Sequence, residues 1–274
     1  MHTHAHLYRN RTIILGAFLI CGRVLSGQVG LGLTPMRLEL RAQAGQQTSG
    51  ALVLSSDSGD KIRVRAAILD FLIDQNQTPQ FEGKLESESS FSCREWLSVN
   101  PMETEVAPGS QVNVRYTVRV PGTADSPRGY HCAVGFTTLP TDSQMEKSGI
   151  RAAVQVVAAF YVTLGNPGIE GGVKELKLVR EANGGKTRWI GEVVLNNFSL
   201  THFRPVGELS ILDGNGAVLE SVAFTPFPTL PKREQRYIIP FQHDLAPGTY
   251  TLRARVSIGR NEIEEGTAVV VAAY

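Results

Sequence analysis

The sequence predicts an all-β fold, two immunoglobulin-like β-sandwich domains in tandem. From Val29 onward, short alternating or β-branched segments are cut by Gly, Pro, Asn and Asp about every ten residues. No window sustains the 3.6-residue apolar period of an amphipathic helix. A cluster of linker residues, Gly165-Asn166-Pro167-Gly168 extended by Gly171-Gly172, stands between a long strand and a fresh series of strands. The expected organisation is an export segment at 1–27, a first sandwich at 28–165 and a second at 166–274.

Composition narrows the function classes. Lys+Arg 27 against Asp+Glu 26 give the 274 residues a formal charge of +1, which excludes a general attraction to nucleic acid or to an anionic membrane. Hydrophobic residues at 42% and charged residues at 19% are too apolar and too weakly charged for a disordered chain. The 27 glycines follow no regular period, which sets collagen aside.

Met1 to Arg11 carries two arginines and no acid, Thr12 to Cys21 is apolar, and Val24-Leu25-Ser26-Gly27 offers small residues. This is the pattern of a cleaved secretory signal peptide. Its apolar run is too short to cross a bilayer as a helix. Ile20 before Cys21 is not the small residue of a lipoprotein signal. The mature chain is expected in the periplasm or outside the cell, where disulfides persist. His2, His4 and His6 leave with the signal, and no metal site or cofactor is expected.

The first-half strands are expected at Leu52–Leu54, Ile62–Ile73, Val112–Val120 and Ile150–Leu164. Those of the second half are expected at Val173–Val179, Trp189–Leu195, Val206–Leu212, Tyr237–Phe241, Thr249–Ile258 and Thr267–Val271. Each half also places a tyrosine just after a glycine, at Gly129-Tyr130 and at Gly248-Thr249-Tyr250. That is the position of a tyrosine corner, whose hydroxyl bonds back to the main chain of the preceding loop. Asp213-Gly214-Asn215-Gly216 begins like a calcium loop, but Val218 and Phe224 stand where that loop needs Gly and Glu. It reads instead as a tight hairpin turn.

Catalytic motifs are missing from the sequence. The mature chain keeps His131, His202 and His243, far apart, with no H-E-x-x-H, C-x-x-C, G-x-S-x-G or phosphate-binding Gly-Lys-Ser/Thr. An enzyme is therefore not expected.

One segment points to a function. Ile150, Ala152, Val154, Val156, Ala158, Phe160, Val162 and Leu164 alternate in an unbroken run, giving a strand one wholly apolar face. At about 3.3 Å per residue such a strand extends roughly 50 Å, more than a small sandwich normally covers. Either it is a core strand that bends between sheets, or its first half projects and offers side chains to a partner strand. A long apolar edge invites pairing with another chain unless something uses it.

Residues 31 to 164 resemble the PapD-like periplasmic pilus-assembly chaperones. The likeness lies in Thr34-Pro35-Met36-Arg37-Leu38-Glu39-Leu40, in Val106 to Arg115 with its Pro108-Gly109 turn, in Arg128 to Pro140, and in Ile150 to Tyr161. The resemblance implies a donor strand that completes a pilin subunit by strand addition, with Ile150, Ala152, Val154, Val156 and Ala158 as client-binding positions. It also implies a first-strand arginine, Arg37, that holds a client's terminal carboxylate together with a donor-strand lysine. Val156 and its neighbours supply no such lysine, so that anchor is incomplete.

Cys93 and Cys132 remain once the signal is gone, an even pair in an exported chain. They are expected to form a disulfide; the alternative is two small buried apolar side chains. The leading functional reading is a periplasmic chaperone-like protein that binds extended segments of pilus or other exported subunits through a strand edge. The other readings are a structural or adhesive two-domain spacer without a client and, third, an enzyme or sugar-binding protein.

Overall fold

The computed structural model describes residues 30–74, 77–88, 90–140, 153–183 and 186–273, with only the backbone of 182, 183, 186 and 187. The expected export segment at 1–27 lies outside the described residues, as do Ile150 and Ala152.

The fold is all-β, and its strands form two immunoglobulin-like sandwiches. In the first half, one sheet has the order β1 (Leu31–Thr34), β3 (Gln47–Ser56), β8 (Gln111–Arg119) and β6 (Leu97–Asn100). The facing sheet runs β2 (Arg37–Ala42), β10 (Gln155–Leu164), β9 (Arg128–Leu139), β4 (Ile62–Ile73) and β5 (Pro79–Glu82), with β7 (Glu103–Val106) also on β4. Period-two alternation selects the inner faces: Leu52, Leu54, Val114 and Val118 meet Val134, Phe136, Phe160, Val162 and Leu164 in one core. Full burial of each large apolar side chain contributes about 1.5–3 kcal/mol.

The second half repeats the plan with different strands. One sheet is β11 (Gly171–Asn183), β12 (Lys186–Asn197) and β15 (Glu234–Pro240). The other is β14 (Val218–Ala223), β13 (Val206–Leu212), β16 (Gly248–Ser257) and β17 (Glu264–Ala272). Trp189, Val193, Leu195, Tyr237 and Ile239 pack against Leu209, Ile211, Leu252, Ala254 and Val256. Among the described residues no sheet joins strands from both sides of Gly165.

Three local expectations hold. Asp213 starts a hairpin turn, its carboxylate accepting from the N–H groups of Asn215 and Ala217 at 2.9 and 2.8 Å. Gly216 takes the left-handed φ of 81° that this turn requires. Tyr130 donates its hydroxyl to the Asp125 carbonyl at 3.0 Å, and Tyr250 donates to that of Ala246 at 2.9 Å. Both tyrosines thus fasten the loop before their own strand.

One strand differs from expectation. The described strand begins at Gln155, not at Ile150. Along Ala159–Leu164 it is no edge at all, because β2 pairs with it in parallel. Of the expected run, Ala159–Leu164 lies between two strands.

Candidate functional site

β10 changes character along its length. One side pairs with β9 throughout, Gln155 opposite Thr137 to Leu164 opposite Arg128. The other side meets β2 only from Ala159 onward, where Arg37 is its register partner. The Ala159 N–H donates to the Met36 carbonyl at 3.0 Å, and on the opposite side the Thr138 N–H donates to the Val154 carbonyl at 2.9 Å. Strand alternation therefore points the main-chain groups of Gln155 and Val157 to the same side as Ala159. Among the described residues these two have no strand beside them on that side. The result is a short free edge that ends where β2 begins.

The expected site residues divide unevenly along this strand. Val154 is half-buried, and its own N–H donates to Thr138 Oγ1 at 3.0 Å. Val156 is half-buried on the inner face, packed against the core. Ala158 is fully buried within the sandwich, where its side chain meets neighbours in the same fold. Arg37 opens β2 with its side chain 57% exposed, beside the residue where the edge closes.

The other face of this sheet carries a second cluster, to which the second half contributes. Leu69, Phe71, Ile73, Ala133 and Tyr161 pack with Leu230, and Val157, Ala159 and Phe227 flank them. β9 is consequently buried on both faces at its centre, since His131 and Ala133 look one way while Cys132 and Val134 look the other.

Two polar clusters bind the halves together. On β2, the Glu39 carboxylate lies 3.0 Å from His202 Nε2, 3.2 Å from Arg204 Nε and 3.9 Å from Arg37 Nε. The Arg204 guanidinium also lies over the Tyr161 ring at 4.9 Å. Burial pushes the Glu39 carboxyl up, but the hydrogen bonds and charges of His202 and Arg204 outweigh it and hold the group below its usual range. The second cluster is more enclosed. Glu88, in a 3-10 turn at Glu86–Glu88, is 2% exposed, meets His131 Nε2 at 3.1 Å and accepts from Arg233 of the second half. There too burial raises the carboxyl while His131 and Arg233 lower it further, and the balance is a lowered value. The burial of Glu88 is tolerated because its carboxylate is paired.

Cys93 and Cys132 are joined, their Cα atoms 5.2 Å apart and both side chains fully buried. The bridge ties the 3-10 turn Arg94–Trp96 to the middle of β9. Asp70, buried, accepts from the Leu85 N–H and Ser92 Oγ and pairs with Arg94 at 4.0 Å, a structural use of the acid. Sequence reasoning found the bridge and did not single out Glu39, Glu88, His202, Arg204 or Arg233. The one available signal was negative: acids at inward-leaning positions of strand-rich segments need partners.

No family model matches the chain, and no curated protein matches it. Among solved structures, it is similar to the class 5 fimbriae chaperone CfaA, at 11% identity and a TM-score of 0.46, over 89% of this chain and 100% of that one. It is similar to the CupB2 chaperone of Pseudomonas aeruginosa, at 12% identity and a TM-score of 0.44, over 88% and 100% of the two chains. The E. coli chaperone DraB matches at 14% identity and a TM-score of 0.40, over 89% and 96%. These are proteins of the class that residues 31 to 164 resemble.

Proposed function

We infer that this chain is a chaperone-like binding protein that takes an extended segment of an exported protein subunit onto the free edge of β10. The observation that carries this reading is the main chain of Gln155 and Val157, a sheet edge with no strand beside it among the described residues. Strand addition there supplies main-chain hydrogen bonds as affinity, and the flanking side chains select what can approach. Val154 and Val156, both half-buried, present apolar surface next to that edge, and Arg37 stands at its closed end. Ile150 and Ala152 continue the alternation upstream and belong to the same binding segment.

The two-module organisation, 28–165 and 166–274, and export to the periplasm after removal of 1–27 are parts of this reading. Purification of the chain from periplasm, with mass spectrometry of what accompanies it, tests the reading. Recovery of an exported subunit that is lost with Val154→Asp supports it. A pure, stable chain with no companion under any expression condition favours the spacer instead.

A further inference from the structure

The two sheets of the first half differ in the charge of their outer faces. On β4, Arg63 and Arg65 both pair with Glu103, at 2.8 and 2.6 Å, and Lys61 pairs with Glu105 at 2.8 Å. The sheet of β1, β3, β8 and β6 lacks that compensation. Leu97, Val99, Val114 and Val118 turn into the core, so Ser98, Asn100, Arg115, Thr117 and Arg119 turn outward. β3 adds Gln, Ser, Ala and Val to this face, and no outward position of β3, β6 or β8 is acidic. Arg119 donates through Nε and Nη2 to Gln47 Oε1, each at 3.2 Å. Among the described residues no carboxylate pairs with Arg115 or Arg119. Thr117 sits between them, its hydroxyl 2.9 Å from that of Ser49 and its carbonyl accepting from Ser98 Oγ at 3.3 Å.

β6 is the edge of this sheet, and at its start Trp96, Ser98, Arg119 and Pro121 line a groove of about 620 Å³. Glu95 lines it as well, but is paired with Arg94 at 2.5 Å. The chemistry of face and groove specifies a ligand. Two uncompensated guanidiniums call for anionic groups, about 13 Å apart for residues four places apart on a strand. The hydroxyls and amides around them both donate and accept, which suits a hydroxyl-rich chain. An indole and a proline in the groove suit the apolar face of a ring. A nucleic acid duplex is a poor match, because neutralising two phosphates releases only about two counterions. We propose that the outer face of β3, β8 and β6, with the groove at Trp96, binds an acidic polysaccharide whose carboxylates are spaced along the chain. The free edge of β10 belongs to the facing sheet, so the proposal stands apart from the strand-addition reading.

Calorimetric titration of the full chain with octasaccharides of hyaluronan, which carries a carboxylate on alternate rings, and of polygalacturonate tests this. Saturable binding of at least one of them is expected, with a change in tryptophan emission as the groove fills. Arg115→Gln and Arg119→Gln are each expected to weaken it at least about tenfold while the melting temperature stays unchanged, since both side chains are exposed. Arg63→Gln removes an equal charge from the facing sheet and is expected to leave the affinity unchanged. No binding of either octasaccharide overturns the proposal. Equal weakening by Arg63→Gln overturns the site, because net charge alone would then explain the binding. Equally tight binding of neutral maltooctaose overturns the role of the two arginines. Equally tight binding of poly-glutamate, or of phosphatidylglycerol vesicles, overturns the assignment of the ligand as a polysaccharide.

Discussion

The Met36 carbonyl accepts the N–H of Ala159 at 3.0 Å, and with that bond the second side of β10 closes. Two residues earlier, at Val157, no strand lies on that side among the described residues. One strand thus serves as core wall and as available edge, and the division falls between Val157 and Ala159.

That division separates two substitutions of the same chemistry. Val154→Asp places a charge on a half-buried position beside the open edge and is expected to cost about 1 kcal/mol or less of stability while abolishing client capture. Ala158→Asp places it in the closed core and is expected to unfold the first half, at a cost above about 4 kcal/mol. Melting curves beside pull-downs for both variants check this. Equal melting temperatures for the two would mean that the core does not begin where the structure places it.

Glu88 makes the contact between the halves pH-dependent. Its folded pKa lies below its ordinary value of 4.5, so the unfolded chain binds a proton more readily than the folded one. The stability it contributes is therefore complete above the ordinary carboxylate range and is lost as pH falls through the lowered folded value. Glu88→Gln is expected to flatten the acid limb of stability against pH. At neutral pH, Glu88→Ala is expected to cost about 3 kcal/mol, because His131 and Arg233 keep their places without their partner. Urea unfolding at pH 7 and at pH 3.5 reads both effects.

The disulfide closes a loop across a sequence separation of 39. Replacing both cysteines with alanine is expected to lower stability by about 3 to 4 kcal/mol, chiefly by restoring freedom to the unfolded chain. Denaturant melts of the oxidised chain and of the double variant give the difference directly.

Tyr130→Phe removes one hydroxyl and keeps the ring packed against Trp96, whose centroid lies 4.3 Å away. The expected loss is about 1 kcal/mol, the net value of a single hydrogen bond. The same change at Tyr250, which is more exposed, is expected to cost less. Paired melting curves rank the two.

What the sequence made legible was local. Alternation located β4, β8 and β13 closely, and Asp213 to Gly216 declared its hairpin, because strand period and turn chemistry are written within a few residues. The tyrosine corners were likewise short-range signals, while the cysteine pair followed from an even count once the signal is set aside. The parallel pairing of β2 with β10 was not legible, since nothing near Arg37 names a partner more than a hundred residues away. Nor were the clusters that join the halves: Glu39 meets His202 across 163 residues and Glu88 meets Arg233 across 145. The full burial of Ala158 was not legible for a related reason. Periodicity tells which side chains share a face, but only the partner strand tells how far that face is covered.

Amide hydrogen exchange at Gln155 and Val157 tests the central claim most directly, because the free edge is made of those two main-chain groups. In the isolated chain both amides are expected to exchange rapidly, while Ala159 and Tyr161 on the same strand are protected by β2. Saturating Val/Thr-alternating peptide is expected to slow Gln155 and Val157 by at least about tenfold and to leave Tyr161 unchanged. Peptide that binds while both amides continue to exchange at their free rate would contradict strand addition at this edge.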